Sequence, residues 1–440
     1  MASVSSVLIA SPKNGPGDNW YSYYAGFSQD FVRSALTRLG PAVRSVILDP
    51  WNGSGTTTTI ARDLGYTARG YDLNPAMVVV AKARLLDRGV LASVDSIAKE
   101  ILAEARRLPQ TFLLPQDPLA LWFDPRATTF LRALERGIQR VLVSYDEPVD
   151  AASPRVAGAL STLASFFYVC LFRTVRAYLS PFYATNPTWI KEPLSTRNRL
   201  RPEPSSITAR FRLEVKTLTV QQKIAANGTV REPKGGPSLI DATIAVADST
   251  HLPDADATVD VVLSSPPYCT RIDYAVATKA ELAALGLLTS DRFRALRGSL
   301  LGCTALGSDQ DIPKEREVWG RTCLRFMKLV RTHSSKASQT YYLRGFRRYF
   351  DGLHASLEEI SRVLKPSGSV VIVVQDSFYK GERTNLQGIV REMGATLGWE
   401  LQEQHDFQQP RTMAAVNPRS RKYRSVASAT ESVLFLRKKH

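Results

Sequence analysis

The sequence predicts an α/β protein built on one doubly wound, mostly parallel sheet, interrupted by two largely helical insertions. Three observations carry that prediction. Short apolar strands ending in an acid alternate with helical patterns over residues 28–87, the β-α-β-α series of a parallel sheet covered by helices. Good strand character then lapses over residues 90–190 and resumes at 242–247, Val259–Ser264 and 369–374. At 440 residues the chain can hold one large domain with insertions, or two to three domains.

The elements follow in order. Residues 28–39 have a helical pattern, and 44–48 read as a short buried strand ending at Asp49, followed by a Gly-rich turn and a helix to about Leu64. A second strand, 66–71, ends at Asp72, and a helix covers 75–87. Residues 90–190 carry helical patterns without a good strand. Within them, 156–172 is mostly apolar, but it only reaches the lower limit of roughly 17–25 residues for a membrane span. Ser161, Thr162 and Ser165 interrupt it, so it reads as a buried helix. Residues 192–207 are rich in Pro, Arg and Ser and read as a loop, Phe211, Leu213 and Val215 alternate as a strand would, and Asn227-Gly228 is a turn signal.

Strands are expected again at 242–247 and Val259–Ser264, and a helical or irregular stretch at 279–340. A helix over 343–364 leads through 365–368 into a strand at 369–374, and a helix near 386–397 precedes strands at 399–407 and 432–437. The sheet domain is therefore expected to comprise 1–95, 241–278 and 341–440. The insertions are 96–240, expected to recognise a target, and 279–340, expected to contact nucleic acid.

Composition narrows the function classes. With 57 Lys+Arg against 41 Asp+Glu the net charge is +16, which favours a polyanionic partner such as nucleic acid. Hydrophobic and charged fractions of 44% and 22% exclude wholesale disorder. Cys170, Cys269, Cys303 and Cys323 form no C-x-x-C pair, which argues against a disulfide framework or a metal site and fits a reducing cytoplasm. The N-terminus lacks the basic n-region of a signal peptide.

Ligands in doubly wound sheets bind outside the carboxyl ends of the strands, and chemistry-bearing residues cluster there. Asp49-Pro50-Trp51-Asn52-Gly53-Ser54-Gly55-Thr56-Thr57 turns from the first strand into a helix. Its glycines allow a tight turn, and the helix start offers free N–H groups. Asp72, 17 residues beyond Gly55, is placed to accept from ribose hydroxyls. Ser265-Pro266-Pro267-Tyr268 follows the strand Val259–Ser264. Two prolines fix φ, and the carbonyls before them remain free acceptors. An exocyclic amine needs that arrangement, because acceptors on both its N–H bonds pull the nitrogen lone pair out of conjugation. Ser265 would supply a side-chain oxygen and Pro266 a carbonyl, with Tyr268 stacking on a flipped base.

DPWNGSGTT closely resembles the DPFxGSGTT cofactor motif of the amino-methylating DNA methyltransferases. YDLNP (71–75) is similar to their acidic second motif, NWYSYYAGFSQDFV (19–32) to the motif closing over methionine, and SPPY to their catalytic [Asp/Asn/Ser]-Pro-Pro-[Tyr/Phe/Trp] motif. The resemblance implies a Rossmann-like class I methyltransferase sheet with an antiparallel last strand, and S-adenosyl-L-methionine as cofactor. It implies cofactor contacts from Asp49, Pro50, Gly53, Ser54, Gly55, Thr56 and Thr57. Asp72 and Asn74 fall in the ribose region, Phe27 and Ser28 at methionine with Tyr24 nearby, and Asp248 at the adenine with Ser249 beside it. Ser265, Pro266, Pro267 and Tyr268 are the implied catalytic residues.

Serine in the first place is typical of cytosine-N4 members, whereas adenine-N6 members more often carry Asp or Asn. The expected activity is a site-specific, cytosine-N4 DNA methyltransferase in restriction-modification or phage defence. Its expected partners are double-stranded DNA with the target base flipped and cognate restriction or defence proteins, without a membrane. Alternatives are an N6-adenine enzyme, an RNA base amino-methyltransferase, or a silent nucleic-acid-binding subunit. The order departs from the family, since members with DPFxGSGTT commonly place the catalytic motif first.

Gln375, Asp376 and Ser377 are expected to line the base pocket, with Arg271 and Asp273 at its rim. Cys269 follows tyrosine rather than a single proline and is read as structural. Basic stretches that could hold phosphates comprise Arg197, Arg199 and Arg201; residues 321–348 with Tyr341, Tyr342 and Tyr349; and 411–424, with Arg411, Arg419 and Arg421.

Overall fold

The computed structural model describes residues 20–21, 26, 28–108, 117–143, 154–184, 189–227, 242–269, 272–303, 312–335, 338–409 and 429–439. In chain order the strands are β1 (Val46–Asp49), β2 (Thr67–Asp72), β3 (Ala242–Val246), β4 (Val259–Ser264), β5 (Leu364–Gln375), β6 (Phe378–Tyr379), β7 (Glu382–Arg383), β8 (Trp399–Gln409) and β9 (Ala429–Lys438). Seven of them form one sheet in the order β3-β2-β1-β4-β5-β9-β8, and β6 and β7 make a separate hairpin. β1 to β5 run parallel, whereas β9 is antiparallel to both β5 and β8. This is the expected Rossmann-like methyltransferase sheet. The chain steps outward from β1 to β3 and returns to lay β4 against the other side of β1, so the strand order reverses between β1 and β4. A crevice opens at such a switch point.

Alternation along β5 shows how the sheet is covered. Val371 and Val373 pack with α1 (Gln29–Leu39) and α2 (Thr56–Asp63), while Val370, Ile372 and Val374 face the opposite layer. The first helical layer is short because α1 stops at Gly40, in the left-handed region at φ 55, and Ser28 caps its start by accepting from Phe31 N–H.

The chain between β2 and β3 is helical. It comprises α3 (Pro75–Arg84), α4 (Val94–Arg107), α5 (Pro125–Leu142), α6 (Pro154–Ala159), α7 (Thr162–Tyr178) and α8 (Pro204–Asn227). After β4 come α9 (Tyr274–Ala277), α10 (Lys279–Ala284), α11 (Ser290–Ser299), α12 (Gly320–Thr332) and α13 (Leu343–Val363), and α14 (Leu386–Thr396) precedes β8. α12, α13 and α14 cover the second face of the sheet. α3, α4, α5, α7, α8 and α10 bury a core of their own, into which Trp20 and Tyr21 also insert.

Three local readings are corrected. Phe211, Leu213 and Val215 lie in helix α8, not in a strand. Ile207, Phe211, Val215 and Leu218 recur at helical spacing and are buried, whereas Leu213 is 50% exposed; the apparent alternation was part of a 3.6-residue pattern. The apolar run 156–172 is two helices rather than one, because α6 ends at Ala159 and Ser161 caps α7 by accepting from Ala164 N–H. No described helix is long and apolar enough to cross a membrane. Residues 365–368 form an irregularity inside β5, where pairing with β4 jumps from Val259–Leu364 to Val261–Ser369.

Arg132 ties the helical core together. Buried in α5, it donates to both Asp117 carboxylate oxygens (2.8 and 3.2 Å), to Glu135 at 3.3 Å, and to the carbonyls of Ala283 and Ala284, each at 2.9 Å. Removing one partner of a buried pair strands the others. Arg132→Met should therefore lose about 3–5 kcal/mol, seen as a lower urea midpoint. An unchanged midpoint would contradict this role.

Candidate active site

β1 and β2 each end in a carboxylate, and the Gly-rich turn is folded around both. Asn52 N–H donates to the Tyr71 carbonyl at 2.8 Å, Gly53 N–H to Asp72 at 3.0 Å, and Asn74 N–H to the other Asp72 oxygen at 2.8 Å. Gly55 has φ 81, and a Cβ there would lie 2.8 Å from that of Ala81. The turn thus needs glycine both for its backbone angle and for its approach to α3. Asp49 accepts from Trp51 N–H at 3.1 Å and from the Ser264 hydroxyl, a short bond that crosses from β4 to β1.

Burial pushes both carboxyls up, to about 6 each. At Asp49 the Ser264 hydroxyl and the Trp51 N–H oppose the rise; at Asp72 the Asn74 and Gly53 N–H groups oppose it, while the Asp49 charge adds to it.

A cavity of about 470 Å³ opens at this end of the sheet, within the roughly 300–1,000 Å³ of small-molecule sites. Asp49, Pro50, Gly53, Ser54, Thr56, Thr57, Asp72 and Asn74 line it, as do Asp248 and Ser249 beyond β3. Ser265, Pro266, Pro267 and Tyr268 line it from the end of β4. Ser265 and the Pro266 carbonyl have no hydrogen-bond partner among the described residues. The Pro267 carbonyl differs, accepting from the Tyr349 hydroxyl at 2.9 Å. Burial holds the Tyr349 phenol well above its usual range, so it keeps the proton it donates.

No family model matches the chain. Among curated proteins, it is 24% identical to the Type II methyltransferase M.BsoBI of Geobacillus stearothermophilus, over 90% of this chain and 81% of that protein. It is 23% identical to the Type II methyltransferase M.AvaI of Nostoc sp. (strain PCC 7120) and to M.AvaI of Anabaena variabilis, in each case over 90% of this chain and 82% of the relative. The chain is thus similar over most of its length to Type II methyltransferases. The motif resemblance implies S-adenosylmethionine as methyl donor, and the residues at this end of the sheet fit it. Two carboxylates at adjacent strand ends, Asp49 buried and Asp72 half-buried, suit hydroxyl and ammonium groups, and Asp248 offers a third acid beside them. When bound, the donor supplies an electrophilic sulfonium methyl group.

Other expected site residues sit elsewhere. Ser28 caps α1 and does not line the cavity, although neighbouring Gly26 does. Gly55 lies behind the lining, as the N-cap of α2. Asp273 caps α9 and pairs with Arg297, and Asp376 pairs with Arg383 of β7 at 2.6 Å. Neither they nor Gln375, at the end of β5, line the cavity, because local partners hold the two acids. Arg197 and Arg201 are exposed, and Arg199 is half-buried. Tyr24, Phe27, Arg271, Arg411, Arg419 and Arg421 lie outside the described residues.

Sequence reasoning missed one wall of the cavity. Gly345, Tyr349, Gly352 and Ser356 of α13 line it, with Tyr274 and the 299–303 turn. The signal was the 345/349/352/356 spacing, one face of a helix, in a segment read as a helix and as a basic, aromatic phosphate-holding stretch but not as a cavity wall.

The raised carboxyls give a pH signature. Between about pH 4 and 6 the unfolded chain releases protons that the folded chain retains. The donor-free fold therefore loses stability as pH rises through that window, with no further change from these groups above it. Donor binding favours the ionised forms, so calorimetry from pH 5 to 8 should show affinity weakening as pH falls through about 6, with proton release near pH 6. A flat profile would contradict the assignment of Asp49 and Asp72 to the donor.

Proposed function

We propose that the chain is a site-specific DNA methyltransferase that transfers the methyl group of S-adenosylmethionine to the exocyclic N4 of cytosine. The observation that carries the reading is a pair of acceptors, Ser265 and the Pro266 carbonyl, that have no partner among the described residues and share one cavity with Asp49 and Asp72. A primary aromatic amine has two N–H bonds, and two acceptors hold both. The nitrogen lone pair then points away from ring conjugation and toward the electrophilic carbon. Placing the two reactants together supplies most of what such a transfer needs. Nitrogen–carbon bond formation displaces the thioether, and the amine proton passes to solvent.

The thiol of Cys269 takes no part. It is 1% exposed and does not line the cavity, and amine methylation needs no covalent enzyme intermediate. DNA as the substrate rests on the +16 charge and on relatives named as Type II methyltransferases. Their name also supports a place in restriction-modification. Cytosine rests on serine at 265, the residue typical of the N4 members of the family. Residues 96–240 and 279–340, which depart from the sheet, are assigned to target recognition.

Incubation with labelled donor and duplexes of varied sequence, followed by digestion to nucleosides, should place label in N4-methylcytosine. Label confined to N6-methyladenine would overturn the cytosine assignment, and transfer to RNA alone would overturn DNA. Ser265→Ala should lower kcat by about 100-fold while leaving the donor Kd within twofold. Equal loss of donor affinity would move Ser265 out of the amine site.

A further inference from the structure

The carbonyl of Pro267 and the N–H of Tyr268 belong to one peptide group, and both are held by tyrosine hydroxyls. Tyr349, from α13, donates to the carbonyl at 2.9 Å, and Tyr274, the first residue of α9, accepts from the N–H at 3.1 Å. Both phenols line the cavity. The next peptide groups are held as well. Gly302 packs so closely on the Tyr268 carbonyl that a Cβ would lie 2.6 Å from its oxygen, and the Ser377 hydroxyl donates to the Cys269 carbonyl at 3.0 Å.

These contacts matter because of which torsions the double proline leaves free. The rings of Pro266 and Pro267 lock two φ angles, and planar peptides remove the ω angles. What remains between Pro266 and Tyr268 is ψ of each proline and φ of Tyr268. A peptide plane held at both its oxygen and its nitrogen has ψ of Pro267 and φ of Tyr268 fixed. The direction of the Pro266 carbonyl and the placement of the Tyr268 ring follow from that plane.

We propose that Tyr274 and Tyr349 are positioning residues for methyl transfer, clamping the Pro267–Tyr268 peptide so that the Pro266 carbonyl and the Tyr268 ring meet the target base. The inference rests on the proposed function for the roles of Pro266 and Tyr268. The clamp itself is a property of the fold. The hydroxyls carry the role and the rings do not, so phenylalanine removes the clamp and keeps the packing.

Tyr349→Phe, Tyr274→Phe and the double variant of the full chain test it by steady-state methyl transfer, donor calorimetry, melting and amide hydrogen exchange. Each single variant should lower kcat by roughly 10- to 100-fold, since small misplacements of a reacting group carry that effect. KM for the duplex and Kd for the donor should stay within about twofold, and the double variant should fall short of the product of the singles, because both hydroxyls hold one plane. Tyr268 is the first exchangeable amide after two prolines, and its exchange should be slow in the wild type and at least about tenfold faster in Tyr274→Phe.

Unchanged kcat in both single variants would overturn the proposal, as would losses that track melting temperature or donor affinity. Should the wild type methylate adenine, the same variants are measured on that base. Should it transfer methyl to no nucleic acid, the proposed function fails and exchange alone decides the clamp: fast exchange at Tyr268 in the wild type overturns it.

Discussion

The hydroxyl of Ser264 donates to the carboxylate of Asp49 across the gap where the strand order reverses. Ser264 is the last residue of β4 and Asp49 the last of β1, and each is followed by a segment that lines the cavity. The bond fixes the relative height of those two segments. It also satisfies one oxygen of a carboxylate that burial would otherwise leave costly. β1 and β4 share only Ile47–Val261 and Leu48–Val262 as register pairs, so the side-chain bond extends their alignment past the end of the ladder. The Gly-rich turn, the carboxylate of Asp72 and the double proline all take their positions from strand ends that it holds level.

Around that crevice the molecule divides its labour. The sheet, faced by α1 and α2 on one side and α12, α13 and α14 on the other, is a rigid base. The helical core meets the sheet edge through α3 and α6, which pack on β2 and β3, and α10 is bound into that core where Arg132 reaches the carbonyls of Ala283 and Ala284 and Arg176 pairs with Glu281. Tyr21 donates to the same Glu281 at 2.7 Å, and Arg173 donates to the Trp20 carbonyl at 2.7 Å. Part of the N-terminal aromatic stretch thereby belongs to the helical core and not to the cavity.

Much of the sheet and of the cavity lining at its strand ends was legible because strand ends and turn residues are local signals. Asp49, Asp72 and Ser265–Tyr268 declare themselves by sitting where a short apolar run stops. Asp273 and Asp376 looked equivalent by that logic, yet each pairs with a nearby arginine and does not line the cavity. Which of several acids stays open depends on neighbours that are remote in sequence. The α13 wall was illegible for the same reason, since Tyr349 meets Pro267 across 82 positions of chain. Phe211 to Val215 failed differently. Three residues cannot separate a period of two from a period of 3.6, and only the longer run through Ile207 and Leu218 decides it.

Gathering two carboxylates at the ends of β1 and β2 sets binding against folding. Above about pH 6 both are ionised in a place that penalises charge, so they subtract from the stability of the fold. Neutral replacements there would make a sturdier protein and, on the proposed function, an inactive one, the trade-off expected where a site is kept for function. A ligand that binds only the folded chain restores the deficit by mass action. On the proposed function, a chain loaded with methyl donor would outlast an empty one.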